Sequence, residues 1–215
     1  MRITVPDERV EETLSLLEIH YRAFRDIVDV SLETAHPVPV DTRGWSQIIV
    51  SVLTGVKGLK RKKGQDLVDG SDVKGANTWE AIDTPRFNNV VKAGTGAAVS
   101  DRVEYLDGVP YLFFVLWDNK SDGTPRCRIW CARSQHDPLF REMCRRWYEA
   151  HASGEIISTN FQLHPPRGLD TDEIRNTCGN LLYPLLFCAE RRNDRWEAVV
   201  YNESVLVDGL CQQAD

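Results

Sequence analysis

The chain has 215 residues, 42% of them hydrophobic, which is enough to bury the core of one domain, with or without an appendage. No apolar run approaches membrane-spanning length, and residues 1–6 lack the basic-then-apolar order of a signal peptide, so a cytoplasmic protein is expected. The net charge of -6 argues against a protein that coats nucleic acid indiscriminately. An enzyme acting on DNA is not excluded, because the local field over a cleft governs such binding.

The N-terminal part is predicted to be helical. Apolar residues recur at three- and four-residue spacing from about Asp7 to Thr34, which indicates an amphipathic helix. A His-Pro-Val-Pro sequence ends that helix, and a second helix is predicted from about Thr42 to Leu53. Acids of the first helix, among them Glu11, Glu12 and Glu33, could reach a metal, but a hydrated helix face is the simpler interpretation.

A basic run then leads into a segment rich in aspartate and glycine. The run is Lys60-Arg61-Lys62-Lys63, and the segment from residue 64 to residue 75 reads GQDLVDGSDVKG. It predicts two short antiparallel strands joined by the three-residue loop Val68–Gly70, which closes on a glycine in the left-handed region. The positive charge directly ahead of this hairpin favours a polyanionic ligand, although a charge run also fits a solvated face.

The predicted hairpin brings three charged side chains to one face. Its register pairs Leu67 with Ser71 and places Asp66 opposite Asp72, and residues two apart on a strand share a face, so Lys74 joins them. Two carboxylates this close repel each other unless a cation lies between them, and hard oxygen ligands suit Mg2+. A lysine beside such a site can orient or help deprotonate a water. The pattern therefore predicts metal-assisted phosphodiester hydrolysis; the spacing alone equally fits a charged surface hairpin.

Asp66 followed by Asp72-Val73-Lys74 resembles the catalytic pattern of the PD-(D/E)xK nucleases, and GQDLVDGSDVKGAN is similar to type II restriction endonucleases in particular. The resemblance implies that the two acids bind Mg2+ and that the lysine assists the attacking water. The segment departs from the pattern in two ways. Glutamine stands at position 65 in place of the usual proline, and the gap between the acids is short, which leaves Asp69 as an alternative to Asp66.

The middle of the chain alternates polar and apolar segments. Residues 77–96 are predicted to form an ordered polar loop, which would approach DNA in a nuclease. The apolar run Pro110–Trp117 predicts a central strand buried on both faces, with Arg126–Arg133 as its antiparallel partner. A helix follows from Pro138 to about His151, with Asp137 as its cap. Cys127 and Cys131 on the second strand would lie about 13 Å apart, too far to share a zinc ion, so buried reduced thiols are expected.

The last third is predicted to contain a short helix near Thr171–Thr177, a strand from Leu181 to Glu190 and a strand from Trp196 to Tyr201. The phrases NFQLHPPRG and RNTCGNLLYPLLF resemble the C-terminal parts of restriction enzymes. His164 could be catalytic, but no HNH-type spacing surrounds it, so a structural or DNA-contacting role is favoured. Side chains of this region suited to base and phosphate contacts are Gln162, His164, Arg167, Arg175, Asn176 and Asn180.

The combined interpretation is a mixed α/β (α+β) fold in one nuclease domain. The resemblance implies an αβββαβ core, with helices in residues 1–60, the catalytic core in 61–151 and a β-rich DNA-reading extension in 152–215. The predicted activity is Mg2+-dependent, site-specific cleavage of double-stranded DNA, and a symmetric DNA site predicts a homodimer. The predicted DNA contacts are Lys60, Lys62, Lys63, Asn77, Arg86, Asn88, Asn89, Gln162, His164, Arg167 and Asn176.

Two other functions fit the same residues. A structure-specific repair or junction nuclease would share the metal site but read DNA shape in place of sequence. A non-catalytic DNA-binding protein with a nuclease-like core would bind without cutting, although such a core has no reason to keep Asp66, Asp72 and Lys74 together. No glycine-rich phosphate loop, dinucleotide fingerprint or serine-hydrolase elbow points to another chemistry.

Overall fold

The computed structural model describes residues 7–39, 41–60, 64–80, 83–93, 102–202 and 204–205. The described helices are α1 (Asp7–Glu33), α2 (Arg43–Thr54) and α3 (Pro138–Ala152), with a short 3-10 helix at Val103–Gly108. The described strands are β1 (Asp72–Asn77), β2 (Phe87–Lys92), β3 (Leu112–Asn119), β4 (Pro125–Ala132), β5 (Asn160–Leu163), β6 (Glu173–Asn176), β7 (Gly179–Leu182), β8 (Leu185–Arg192) and β9 (Arg195–Tyr201).

A five-stranded mixed sheet forms the centre of the protein, with strand order β1-β3-β4-β8-β9. Strand β1 is parallel to β3, and the other neighbours are antiparallel. Two further pairs, β2-β5 and β6-β7, form small antiparallel sheets. In chain order α2, β1, β3, β4, α3 and β8 give the expected succession of one helix, three strands, one helix and one strand. The predicted mixed α/β fold is confirmed.

Hydrophobic residues cover both faces of this sheet. Val73, Phe113 and Ile129 belong to a cluster with α1 and α2, and this side is called the α1–α2 face. Phe114 and Trp130 belong to a second cluster with α3, and this side is called the α3 face. Strand β3 is buried on both faces over nearly its whole length, as its continuous apolar run predicts.

Helix α2 packs unusually close to β1. A Cβ atom added at Gly75 would lie 2.5 Å from the hydroxyl of Ser46, so only glycine permits this approach. Ser46 is buried; its hydroxyl accepts a hydrogen bond from the Trp117 indole at 3.0 Å and donates one to the Thr42 carbonyl at 2.8 Å. This contact locks α2 against the edge strand of the sheet.

The predicted antiparallel hairpin at residues 64–75 is wrong in its pairing but right in its loop. Gly70 has a φ of 94°, and the Leu67 amide donates to the Ser71 carbonyl at 3.1 Å. Strand β1, however, pairs in parallel with β3, with Asp72 opposite Leu112. An isolated two-stranded hairpin is marginal in water, whereas the edge of the central sheet buries β1 against both hydrophobic clusters.

The C-terminal predictions are corrected in two places. Residues 171–177 contain strand β6 in place of a helix, because the Asn176 side chain accepts from the Cys178 amide and Gly179, with φ 136°, turns the chain back into β7. The predicted strand from Leu181 to Glu190 is divided into β7 and β8 around Pro184, a residue that has no N–H for a strand ladder.

The polar segment at residues 77–96 also differs from a simple loop. Its residues 87–92 form β2, which pairs with β5 in an antiparallel register that shifts between Phe87 and Val91. Asn89, within that irregular stretch, has a φ of 61°. Val90 and Val91 are buried, which explains why this polar-looking segment joins the folded core.

Cys127 and Cys131 are buried free thiols on the α1–α2 face, as predicted. Burial raises the pKa of the Cys131 thiol to about 12, so the group behaves as a small hydrophobic side chain. In the part of the chain that the structure describes, no helix has the length and hydropathy needed to cross a membrane.

Candidate active site

Three charged side chains meet at the start of the edge strand β1. Val73 belongs to the α1–α2 face and Ala76 to the α3 face, so Asp72 and Lys74 point to the α3 side by strand alternation. The Lys74 ammonium donates to Asp72 Oδ2 at 2.5 Å. Asp66, in the loop before β1, accepts a hydrogen bond from the Val73 amide at 2.9 Å, which fixes its carboxylate beside the strand.

Helix α2 supplies a fourth side chain to this cluster. Gln47 Nε2 donates to Asp66 Oδ1 at 2.7 Å, so both oxygens of Asp66 accept hydrogen bonds. The close packing of α2 on β1 at Gly75 is what brings Gln47 this near. The sequence pattern does not predict this residue, because nothing in a helix read alone indicates which loop it will face.

The site carries more negative than positive charge. Burial and, after it, the neighbouring Asp72 carboxylate together raise the pKa of Asp66 to about 7, while the Val73 amide and the Lys74 ammonium act in the opposite direction. Lys74 pairs with Asp72, whose side chain is only 11% exposed. A second cation at this point would relieve the repulsion and let Asp66 ionise.

The donor set fits a hard divalent cation that keeps part of its water shell. Among the described residues no group of three or more His, Cys, Asp and Glu side chains could hold a metal. Mg2+ is usually bound through only one or two carboxylates, with water and substrate phosphate completing its shell. The pair Asp66 and Asp72 therefore matches Mg2+ better than a metal that needs a full protein cage.

The other acids considered for this site lie elsewhere. Asp69 is exposed, and its carboxylate accepts from the backbone amide and the hydroxyl of Ser71, each at 2.9 Å. Glu11, Glu12 and Glu33 are exposed on α1, which covers the opposite face of the sheet. The structure thus places Asp66 beside Asp72 and leaves these four acids outside the cluster.

A cavity of about 530 Å³ borders Asp66 on the α2 side. Its lining includes Gln47 and two exposed lysines, Lys57 and Lys60. This arrangement places positive charge next to the acidic cluster, where a polyanion could approach. Lys62 and Lys63, also predicted to bind DNA, lie outside the described residues.

The remaining predicted DNA-binding residues are distributed over the small sheets. Asn88 and Asn89 on β2 lie near Gln162 on β5 because the two strands pair, and His164 forms a backbone bridge with Arg175. Gln162 and His164 are half-buried. These side chains form a polar surface on the α3 side of the molecule.

Three predicted contacts are already engaged within the protein. Arg86 pairs with Asp83 at 3.2 Å, and the Asn176 side chain stabilises the turn after β6. Asn77 is not brought to the site: it is 7% exposed, lies at the opposite end of β1 from Asp72, and accepts from the Trp79 amide at 2.7 Å.

The comparisons with known proteins give a consistent result. A family model described as MamI restriction endonuclease matches residues 29–195, which include the whole cluster around β1. Type II restriction enzyme MamI of Microbacterium ammoniaphilum is 37% identical over 161 residues, covering 69% of this chain and 51% of that enzyme. The chain therefore spans about half the length of this curated relative. No solved structure matches the chain.

The mixed sheet has Asp72 and Lys74 on its edge strand and Asp66 in the loop before it, and the family match places the chain in a family of restriction endonucleases. The class predicted from the sequence is thereby confirmed. Within that class, the chain belongs to the MamI restriction endonuclease family.

Proposed function

We propose that this protein is a Mg2+-dependent endonuclease that hydrolyses phosphodiester bonds of double-stranded DNA at a specific sequence. The observation that carries the proposal is the cluster of Asp66, Asp72 and Lys74, in which two adjacent carboxylates face a single ammonium group. Membership of the MamI family supports the same reaction. The proposed site is of the PD-(D/E)xK type.

Each residue of the cluster receives a role from its position. Asp66 and Asp72 would hold Mg2+, which when bound supplies positive charge at the scissile phosphate and lowers the pKa of a water. Lys74 would orient the attacking water and offset the charge that develops on the phosphate. The Val73 amide and Gln47 hold the Asp66 carboxylate in one orientation, so little reorganisation is needed.

The DNA would approach from the α3 side and from the rim of the cavity beside Asp66. Lys60, Lys62 and Lys63 would contact the phosphate backbone, which contributes affinity but carries no sequence information. The polar residues proposed to contact DNA on the small sheets and in the segment that joins them are Asn88, Asn89, Gln162, His164 and Arg167. Arg86 and Asn176 are available where their internal partners are exchanged for DNA.

A homodimer is part of the proposal. The described residues of one chain provide one cluster of this kind, and cutting both strands at a symmetric site requires two clusters related by a two-fold axis. Sedimentation of the protein with and without a cognate duplex tests this point, and a monomer in both conditions would contradict it.

The proposed reaction is tested by incubating purified protein with plasmid and phage DNA in Mg2+ and in EDTA. Discrete fragments that require Mg2+ are expected from the unmodified protein and are expected to disappear in Asp72→Asn and Lys74→Ala. Asp69→Asn is the matched control, because it removes the same charge three residues from Asp66 and leaves an acceptor for Ser71.

The alternatives give different outcomes in the same assay. Cleavage of four-way junctions with intact linear duplex would favour a structure-specific nuclease. A mobility shift with no cleavage in any metal would overturn the catalytic proposal and leave a DNA-binding protein.

A further inference from the structure

A buried charge network lies on the α3 face, away from the acidic cluster. Its members are Asp118, Arg126 and Arg128, which are 0%, 2% and 3% exposed. Asp118 accepts from Arg126 Nε and from Arg128 Nη2, both at 2.9 Å. Arg126 also pairs with the exposed carboxylate of Asp170. Two arginines are rarely buried together in a core, because the free energy lost on removing guanidinium groups from water can exceed the free energy gained from their ion pairs.

The network holds a stretch of main chain, here called the 166–169 loop (Pro166, Arg167, Gly168 and Leu169). Both guanidinium groups donate to the Leu169 carbonyl, at 3.0 and 2.6 Å, and Arg128 also donates to the Pro166 carbonyl at 2.7 Å. The Gly168 amide donates to Asp118 Oδ2 at 3.0 Å. Gly168 lies in the left-handed region at φ 69°, and the Arg167 amide donates to the Pro165 carbonyl at 2.9 Å, so every residue of the loop is fixed through its backbone.

The side chains that this rigid loop presents are not needed by the fold. Leu169 is 56% exposed, although an apolar residue beside the core would be more stable buried. Arg167 is exposed and, unlike Arg126 and Arg128, forms no ion pair within the part of the chain that the structure describes. A small cavity of about 190 Å³ lies beside it, lined in part by His164 and Arg175.

The loop and the acidic cluster lie over the same face of the sheet. Lys74 is in register with Phe114, and Phe114 is in register with Trp130. The Trp130 indole donates to Asp172, three residues after the loop, at 3.0 Å. From standard strand spacings, Arg128 lies roughly 12 Å and Arg126 roughly 16 Å from Lys74 in the plane of the sheet. At about 3.4 Å per base pair, that separation corresponds to about four base pairs of duplex.

We propose that the 166–169 loop reads base edges of the DNA site, with Arg167 donating hydrogen bonds to a base and Leu169 providing an apolar contact. This inference rests on the proposed endonuclease function. A guanidinium group is the donor most often used for direct base recognition, and apolar side chains contact the methyl group of thymine. A loop that reads bases must not move, because a misplaced donor discriminates poorly.

Asp118, Arg126 and Arg128 are positioning residues in this account. They do not reach the DNA; they hold the backbone from which Arg167 projects. Phosphate-binding residues such as Lys60 would change affinity alike for every sequence, whereas Arg167 would change the preference between sequences. That difference separates a reading loop from a surface that merely attracts DNA.

The test is cleavage and binding of a random-sequence duplex library by the unmodified protein, by Arg167→Ala and by Arg25→Ala, with sequencing of the cut ends and of the bound fraction. Arg25 is a matched control, because it is an exposed arginine on α1, over the opposite face of the sheet. For Arg167→Ala we expect a ten- to hundredfold loss on the preferred site and a relaxed preference at one base pair. For Arg25→Ala we expect the preference of the unmodified protein.

An unchanged sequence preference in Arg167→Ala, with cleavage by the unmodified protein intact, overturns the inference but leaves the endonuclease proposal standing. If the unmodified protein does not cleave DNA but binds it with a sequence preference that Arg167→Ala relaxes, the endonuclease proposal is overturned and the inference about the loop stands. A second variant, Arg128→Met, is assayed at a temperature where it is folded by circular dichroism. A merely structural role would lower its melting temperature and leave its sequence preference unchanged, whereas the inference predicts a relaxed preference.

Discussion

The acidic cluster and the 166–169 loop use charge in opposite ways on one face of one sheet. In the cluster two carboxylates share a single lysine, and burial beside Asp72 raises the pKa of Asp66 to about 7. Around the loop, the two carboxylates of Asp118 and Asp170 match two arginines, which also satisfy loop carbonyls. An unbalanced group of charges is suited to receive a cation, whereas a balanced network is suited to hold a backbone still. We propose that the first arrangement serves chemistry and the second serves recognition.

The largest expected effect is the loss of DNA cleavage when a residue of the acidic cluster is substituted. Asp72→Asn removes one of the two proposed metal ligands, and Lys74→Ala removes the cation beside the reacting phosphate. Each should slow single-turnover cleavage on the order of a thousandfold or more, by analogy with the loss of a preorganised electrostatic group. DNA binding measured by fluorescence anisotropy should remain. An Asp72→Asn protein that cuts at the normal rate would exclude this site.

Stability should respond in opposite directions in the two regions. Asp118→Ala leaves two buried arginines without their anion and should lower the free energy of unfolding by about 3–5 kcal/mol. Asp66→Asn removes a source of repulsion and should leave the stability of the metal-free protein unchanged or raised. Urea unfolding in EDTA measures both values. A larger loss of unfolding free energy for Asp66→Asn than for Asp118→Ala would contradict this comparison.

An intermediate effect is expected at Gln47, which orients the Asp66 carboxylate in the acidic cluster. Gln47→Ala removes the donor that orients Asp66 and should weaken Mg2+-dependent cleavage about ten- to hundredfold, the usual effect of losing a group that orients a metal ligand. The loss should be overcome in part by higher Mg2+, which a general folding defect would not show. Ser51→Ala, on the same helix and lining the same cavity, is the control.

The smallest effect concerns pH. In the metal-free folded protein the pKa of Asp66 is about 7, above its ordinary value of 3.8, so the folded state binds this proton more tightly than the unfolded chain. The resulting contribution to stability is complete below about pH 4 and is lost as the pH rises through about 7. In EDTA, the free energy of unfolding of the unmodified protein minus that of Asp66→Asn should therefore decrease as the pH rises from about 4 to about 7. Parallel pH profiles would contradict the assignment.

The sequence predicts the convergence at β1 for a reason that does not depend on strand pairing. Alternation along a strand places Asp72 and Lys74 on one face whether the partner is antiparallel, as predicted, or the parallel strand β3. The left-handed Gly70 then returns Asp66 to the start of β1. Strand alternation and the glycine turn therefore predict that Asp66, Asp72 and Lys74 lie close together, although the predicted antiparallel hairpin is wrong.

Other features depend on contacts that no local pattern contains. Gln47 meets Asp66 across 19 residues, and Arg128 meets Pro166 across 38 residues. In the sequence Asp118 directly follows the predicted strand Pro110–Trp117, and Arg126 and Arg128 lie on the predicted strand Arg126–Arg133, and neither pattern indicates that these charged residues are buried. Only the three-dimensional packing on the α3 face shows that Asp118, Arg126 and Arg128 are buried and hydrogen-bonded to the 166–169 loop.

One measurement tests the central claim most directly: digestion of a plasmid by the unmodified protein, in parallel with Asp66→Asn and Asp69→Asn, across a Mg2+ series from EDTA upward, with the fragment ends sequenced. The account predicts discrete ends at one recurring sequence, dependence on Mg2+, loss in Asp66→Asn and retention in Asp69→Asn. Intact plasmid in every lane, or equal cleavage by Asp66→Asn, would contradict it.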